Sequence, residues 1–153
     1  MKGFEIGSHV GEKSLDHKDF WPLYKECEKL GALLFVHPWD MDSWNGRLNK
    51  HWMPWLVGMP SETAQAICSV LMGNVLVEFP KLKLCFAHGG GAYPSIAGRD
   101  RIVLGTDYPF PLGELEVGKV VEEYNALAEQ DKNDMLWGNA IKMLDLDENT
   151  LAK

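Results

Sequence analysis

The sequence predicts an α/β fold in which parallel strands alternate with helices, and three observations support this prediction. Short apolar runs alternate with longer stretches of helical periodicity along the 153 residues, a pattern typical of βα units that build a parallel sheet. The run ALLFV at 32–36 is unbroken and is closed by His-Pro, which is typical of a strand buried on both faces. Three of the runs are followed directly by a polar residue, and the carboxyl edge of a parallel sheet is where sites are built.

Each predicted element has a local signal that begins or ends it. Asp16 or Asp19 is expected to cap the first helix, which should end at Gly31, because short polar side chains accept the first free amides and glycine ends helices in a left-handed conformation. Ser61 is expected to cap the second helix. The apolar face of that helix comprises Ala64, Ile67, Val70 and Leu71. The remaining predicted elements are strands at 2–7, 82–87 and 102–105, helices at 116–129 and 131–144, and a long loop at 39–60.

Length and composition limit the class of protein. A chain of 153 residues with 46% hydrophobic and 24% charged residues is typical of one soluble globular domain, which we place at 1–153, and it excludes a disordered tail or a disulfide mini-protein. The formal net charge is −7. An acidic chain without a cluster of Lys and Arg is a poor nucleic-acid ligand, since phosphate binding needs concentrated positive charge.

The cysteines and the apolar runs bear on the compartment. Cys27, Cys68 and Cys85 are widely spaced and odd in number, so we expect buried free thiols in a reducing environment. No apolar run reaches the roughly 18 residues that a membrane span needs, and the first residues lack a signal-peptide pattern. These features predict a cytosolic protein with no membrane partner.

His37, His88 and Asp107 each stand at the end of a predicted strand. Taken singly, each has a structural interpretation: a buried core histidine, the start of a glycine turn, and a turn-forming aspartate. Their recurrence at three strand ends favours a site, because these residue types bind metals or move protons. Asp40 could accept the second ring N–H of His37 or could cap its loop, and we interpret His9 as structural.

A loop rich in tryptophan and glycine follows His37. Structureless connections longer than about 12–15 residues are usually functional or disordered, and the aromatic content argues against disorder. Two interpretations stay open for this loop: a lid or substrate wall, and a surface that packs against another subunit.

Three motifs together resemble one family. VHPWD at 36–40, FAHGGGAYP at 86–94 and LGTDYPFPLGELE at 104–116 are similar to aminocarboxymuconate-semialdehyde decarboxylase, of the amidohydrolase superfamily, and the resemblance extends over 50–73 and 111–119. It implies a distorted (β/α)₈ barrel with one catalytic zinc at the carboxyl ends of the strands. The implied reaction is loss of CO₂ from 2-amino-3-carboxymuconate 6-semialdehyde, in the kynurenine pathway of tryptophan breakdown.

The resemblance also implies a role for each matching residue. His37 and Asp107 would be metal ligands, and His88 the acid–base residue beside them. Arg99 would bind a substrate carboxylate in the neighbouring subunit of a homodimer, and Trp52 would lie near the substrate pocket.

The sequence departs from the family pattern in two places. The family opens with a strand that bears a His-x-His pair of zinc ligands, which does not occur here, and a further strand and its helices are missing between Asp100 and Arg101. Two recognisable ligands remain, whereas a catalytic zinc usually takes three from the protein. The chain is therefore expected to be a partial barrel. The alternatives are a lactonase-like hydrolase of the same superfamily, and an inactive fragment that pairs with a full-length subunit.

Overall fold

The computed structural model describes residues 2–41, 45–91, 99–106 and 116–147. The backbone divides into two compact units, Met1–Pro94 and Ser95–Lys153. None of the helices in the described ranges is long and apolar enough to cross a membrane.

The strands found among the described residues lie in the first unit. They are β1 (Gly3–Gly7), β2 (His9–Val10), β3 (Lys13–Ser14), β4 (Leu33–His37) and β5 (Lys83–Phe86). The helices are α1 (Trp21–Leu30), α2 (Met59–Met72) and α3 (Val75–Glu78), with short 3-10 turns at Lys18–Phe20 and His88–Gly90 and a π-helical turn at Pro54–Gly58.

A three-stranded sheet of order β1–β4–β5 forms the centre of this unit. Both strand pairs are parallel, with Ile6 opposite Val36 and Val36 opposite Phe86. Parallel neighbours require a crossover connection, and here the crossovers contain α1 between β1 and β4, and α2 and α3 between β4 and β5. The prediction of parallel strands alternating with helices is confirmed. The antiparallel pair β2–β3 was not predicted.

The first helix ends as expected, but it begins differently. Gly31 has a left-handed φ of 63° and its N–H donates to the carbonyls of Cys27 and Glu28. The expectation that Asp16 or Asp19 caps the helix is wrong. The preceding 3-10 turn is capped by the His17 ring, and the Asp19 carboxylate instead pairs with Lys13.

The second helix begins earlier than the sequence suggested. α2 starts at Met59 and directly continues the π-helical turn, so Ser61 lies inside the helix and does not cap it. The buried side chains are Thr63, Ala66 and Val70, whereas Leu71 is 46% exposed. Of the four residues on the predicted face, only Val70 is therefore buried.

The core lies between the sheet and its helices. Leu34 and Val36 are fully buried on β4, while their neighbours Leu33 and Phe35 are only partly buried, so the expectation of a strand buried on both faces is met on one face alone. The Tyr24 hydroxyl donates to the carbonyl of Leu15 at 2.6 Å. The buried cluster comprises Leu15, Tyr24, Cys27, Leu34, Val36, Ala66, Val70, Val75, Phe79 and Leu82.

All three cysteines are free thiols, as expected, but only Cys27 is buried; Cys68 and Cys85 are partly exposed. Burial raises the pKa of the Cys27 and Cys85 thiols, which keeps them in the less reactive thiol form.

The second unit is helical in its described part. A 3-10 turn spans Arg99–Arg101, and the helices are α4 (Lys119–Glu123), α5 (Glu129–Asn133) and α6 (Asn139–Leu144), with a π-helical turn Asp134–Gly138 joining the last two. The helix predicted at 131–144 is therefore confirmed.

Two other predictions for this unit are wrong. Residues 102–106 form no strand, because the Leu104 N–H donates to the Met135 carbonyl at 3.0 Å and not to a neighbouring strand. The helix predicted at 116–129 is reduced to α4, because Gly118 before it is left-handed and Tyr124 after it is extended. No side chain of α4 is buried, so packing adds little to this short helix.

Candidate functional site

Two histidines meet at the carboxyl edge of the sheet. His37 is the last residue of β4, and His88 lies two residues beyond the end of β5. Because the two strands are parallel neighbours, their carboxyl ends lie side by side. The two imidazole rings pack edge to face, with centroids 4.9 Å apart and planes at 65°. The structure thus brings together two of the residues that the sequence singled out.

The backbone at His88 is held in an uncommon conformation. Its φ is 54°, a left-handed value that only a few per cent of non-glycine residues adopt, with histidine among the enriched types. The three glycines that follow also have positive φ. The last of them, Gly91, has φ 64° and ψ −118°, a region open essentially to glycine alone.

Gly91 also touches the start of α2. A Cβ at Gly91 would come within 2.2 Å of the Pro60 carbonyl oxygen and 3.0 Å of the Thr63 Cβ, whereas a Cβ at Gly89 would meet nothing within 4 Å. The glycine run therefore permits a close approach between the His88 turn and the first turn of α2.

Gly91→Ala is expected to lower the free energy of unfolding by more than Gly89→Ala does. Both variants require a positive φ, at a cost of about 1–3 kcal/mol, but only the first adds a clash with backbone. Urea denaturation of the two variants measures the difference, and equal losses would contradict the close packing of Gly91 on α2.

The other predicted site residues are placed as follows. Trp52 is 58% exposed and its ring lies 5.2 Å from that of Trp55. Arg99 begins the 3-10 turn of the second unit, and its side chain lies outside what the structure describes. Asp107 lies outside the described residues.

A carboxylate that the sequence did not signal accepts backbone amides of the chain just after His37. Glu62, in the first turn of α2, has a side chain only 10% exposed. One of its oxygens accepts the Trp39 N–H at 3.0 Å and the other accepts the Met41 N–H at 2.5 Å. The Asp40 N–H lies at 3.4 Å and the Ser8 hydroxyl donates as well. Desolvation acts to raise the pKa of Glu62, but the Ser8 hydroxyl and the three amides outweigh it and hold this pKa below its ordinary value.

This lowered pKa predicts how stability depends on pH. A carboxyl group whose pKa is lower in the folded chain contributes stability above its unfolded pKa, about 4.3 for glutamate, and loses it as pH falls through the folded value. The difference in unfolding free energy between the wild type and Glu62→Gln is therefore expected to be constant above about pH 5 and to shrink at lower pH. Urea denaturation across this pH range measures it. The exposed Glu78 supplies the control variant Glu78→Gln, and a difference that does not vary with pH would contradict the assignment.

The Asp40 carboxylate pairs with His9 and not with the His37 ring in this structure. This carboxylate is 69% exposed and lies 3.6 Å from the His9 Nε2. The interpretation of Asp40 as an acceptor for the His37 ring is therefore not supported by the contacts. His9 itself contacts Ser8 Oγ at 3.1 Å and lies 3.6 Å from Glu62.

The described residues do not by themselves fit a complete metal site. Within residues 2–41, 45–91, 99–106 and 116–147, no group of three or more His, Cys, Asp or Glu side chains is arranged to hold a metal ion. His37 and His88 supply two imidazoles, and a catalytic zinc site usually has three protein ligands.

Comparison with known proteins identifies the family of this chain. The amidohydrolase family model matches the chain in two segments, residues 1–97 and 95–146. The chain belongs to the amidohydrolase family. This amidohydrolase-family chain is 51% identical to the 2-amino-3-carboxymuconate-6-semialdehyde decarboxylase of Caenorhabditis elegans over 228 positions, covering 99% of the chain and 57% of the relative.

A second decarboxylase of the same name, from Dictyostelium discoideum, is 38% identical, covering 97% of the chain and 55% of the relative. The resemblance found in the sequence motifs is confirmed by these two proteins. The chain spans about half the length of the curated relatives it matches.

Solved structures confirm the fold class. The crystal structure of Metarhizium anisopliae IDCase in its apo form superposes with a TM-score of 0.79 at 22% identity, covering 96% of this chain and 57% of that one. The likeness at this low identity shows the fold alone: an amidohydrolase-type α/β architecture, present here in part.

Proposed function

We propose that this amidohydrolase-family chain derives from, and acts as part of, a carboxy-lyase that removes CO₂ from 2-amino-3-carboxymuconate 6-semialdehyde. The observation that supports this most directly is the His37–His88 pair at the carboxyl ends of adjacent parallel strands. It occurs in a chain 51% identical to a decarboxylase of that name. The proposed substrate is accordingly a small-molecule carboxylate.

His88 is the proposed acid–base residue. When CO₂ leaves, the bond between the substrate carbon and its carboxylate breaks, the electron pair stays on that carbon, and the carbon takes up a proton. Histidine exchanges protons near neutral pH, so an imidazole beside the reacting carbon can deliver this proton. The turn with its left-handed backbone at His88 brings the ring beside that of His37.

The metal is proposed to be zinc, with His37 and Asp107 among its ligands. A bound zinc makes a water molecule acidic enough to act near neutral pH. Because the described residues supply only two neighbouring imidazoles, a complete site needs ligands beyond them. The same proposal includes Arg99 and Trp52 as substrate-binding residues. It also includes a homodimer, a cytosolic location, and one partial barrel domain that is interrupted between Asp100 and Arg101.

Metal content is the first measurement. Elemental analysis of monodisperse protein is expected to give close to one zinc per chain, reduced to background in Asp107→Ala. The exposed Asp100 supplies the control Asp100→Ala, which should keep the zinc. Protein without zinc in any preparation would overturn the proposed metal site.

Turnover tests the reaction itself. Zinc-loaded protein is expected to consume the semialdehyde and release one CO₂ per molecule, and to leave a ring-cleavage lactone unchanged. Hydrolysis of the lactone without release of CO₂ would favour the lactonase-like alternative, and a lack of both reactions in folded, zinc-loaded protein would overturn the proposed activity.

One observation favours a second candidate function, that of an inactive fragment which pairs with a full-length subunit. The alignment with the Caenorhabditis elegans decarboxylase runs over 228 positions although the chain has 153 residues, as expected if the relative has a segment that this chain lacks. Co-purification with a tagged longer subunit is expected for this candidate, and clean separation of the two chains would exclude it.

A further inference from the structure

The first turn of α2 supports the loops that follow both histidines. Its Pro60 and Thr63 pack against Gly91, three residues after His88. Its Glu62 accepts amides of residues 39–41, which begin two residues after His37. The first turn of α2 therefore contacts both the loop that follows His37 and the loop that follows His88.

Glu62 makes the polar contacts between α2 and the loop that follows His37. A carboxylate with only 10% of its side chain exposed is costly to bury unless donors satisfy it. Here the Ser8 hydroxyl and the Trp39 and Met41 amides satisfy its two oxygens. Hydrogen bonds to a charged acceptor are stronger than neutral ones, so these contacts fix the course of the chain after β4.

Ser8 links the backbone of His37 to the carboxylate of Glu62. Its backbone N–H donates to the His37 carbonyl at 3.1 Å, and its hydroxyl donates to Glu62. The backbone of His37 is thereby tied to the end of β1, and the chain just beyond it is tied to α2. His37 is held on both sides by contacts that converge on one carboxylate.

We propose that Glu62 is a positioning residue that holds the imidazole of His37 against that of His88. It acts through the backbone of residues 39–41 and through Ser8, and it does not itself touch the reacting groups. The catalytic use of this geometry rests on the proposed function, but the geometry can be measured without any turnover.

A simpler role for Glu62 makes a different prediction. An acid in the first turn of a helix is favoured by the helix dipole, and such a role needs only a negative charge at that position. Glu62→Asp keeps the charge but shortens the side chain by one methylene, so it cannot reach both Trp39 and Met41. A pure dipole role would leave the amides of residues 39 and 41 unchanged in this variant.

Amide hydrogen exchange and ring NOEs of the full chain test the proposal. In Glu62→Gln, exchange at Trp39 and Met41 is expected to become about 10- to 100-fold faster, because a hydrogen bond to a charged acceptor is lost. The Ala87 amide, which donates to the Val36 carbonyl at 3.0 Å, should keep its wild-type rate. The NOE between the His37 and His88 ring protons, expected from centroids 4.9 Å apart, should weaken or disappear.

Glu78→Gln, at an exposed position, is the matched control and should change none of these signals. Glu62→Asp should give the same changes in smaller degree, and it replaces Glu62→Gln if that variant does not fold. Unchanged exchange at Trp39 and Met41, or an unchanged ring NOE, would overturn the positioning role. Because no substrate is present, either result leaves the proposed decarboxylation to be judged by its own assay.

Discussion

Replacing His88 with alanine is expected to lower kcat for CO₂ release by about 10²- to 10⁴-fold, the usual contribution of a positioned acid–base group. The KM should change much less, because a proton donor acts mainly in the transition state. The measurement is steady-state CO₂ release by zinc-loaded wild type and variant at equal concentrations of folded protein.

A second substitution separates chemistry from backbone strain at this position. His88 has a φ of 54°, and asparagine tolerates left-handed backbone better than alanine does. His88→Asn should therefore keep the turn but not the proton transfer, and it should be as slow as His88→Ala. His17, which is exposed before α1, gives the control His17→Ala. Near-wild-type turnover in His88→Asn would mean that His88 shapes the turn and does not transfer the proton.

The strand ends could be predicted from the sequence because their signals are local. Mainly apolar runs that stop at His-Pro or His-Gly place β4 and β5 and their histidines within a residue or two. Gly31 ends α1 for an equally local reason, its left-handed φ of 63°. Parallel pairing then brings His37 and His88 together without further information.

Glu62 could not be predicted, because its partners are distant along the chain. The amides it accepts lie 21 to 23 residues away and Ser8 lies 54 residues away. An acid in the first turn of a helix looks like an ordinary dipole partner, and only the fold shows that it faces inward. The same holds for the start of α2, where the π-helical turn Pro54–Gly58 leaves no sequence signal that we can name.

The strand predicted at 102–105 shows the limit of an apolar run as evidence. Ile102 and Leu104 make their backbone bonds to the helical segment, through the Asn139 side chain at 2.8 Å and the Met135 carbonyl at 3.0 Å. A short apolar segment becomes a strand only where another strand edge is available, since β-structure is defined by pairing across strands.

Replacing Leu34 with alanine is expected to reduce the free energy of unfolding by about 2–5 kcal/mol. Leu34 is 0% exposed and stands on the central strand, opposite Phe4 on one side and Leu84 on the other. Truncating it removes apolar contacts and leaves a cavity between the sheet and its helices. A loss of this size is a large share of the 5–15 kcal/mol that stabilises a typical domain.

Urea denaturation measures this loss as a lower midpoint with an unchanged slope. Leu30 is 74% exposed, and its truncation to alanine should cost no more than about 0.5 kcal/mol, as is usual for surface positions. Because β4 also places His37, Leu34→Ala should weaken the His37–His88 ring NOE only in the transition region, where part of the chain is unfolded. If Leu34→Ala and Leu30→Ala were equally mild, the core would not be packed around β4, and the sheet edge that places both histidines would lack its main support.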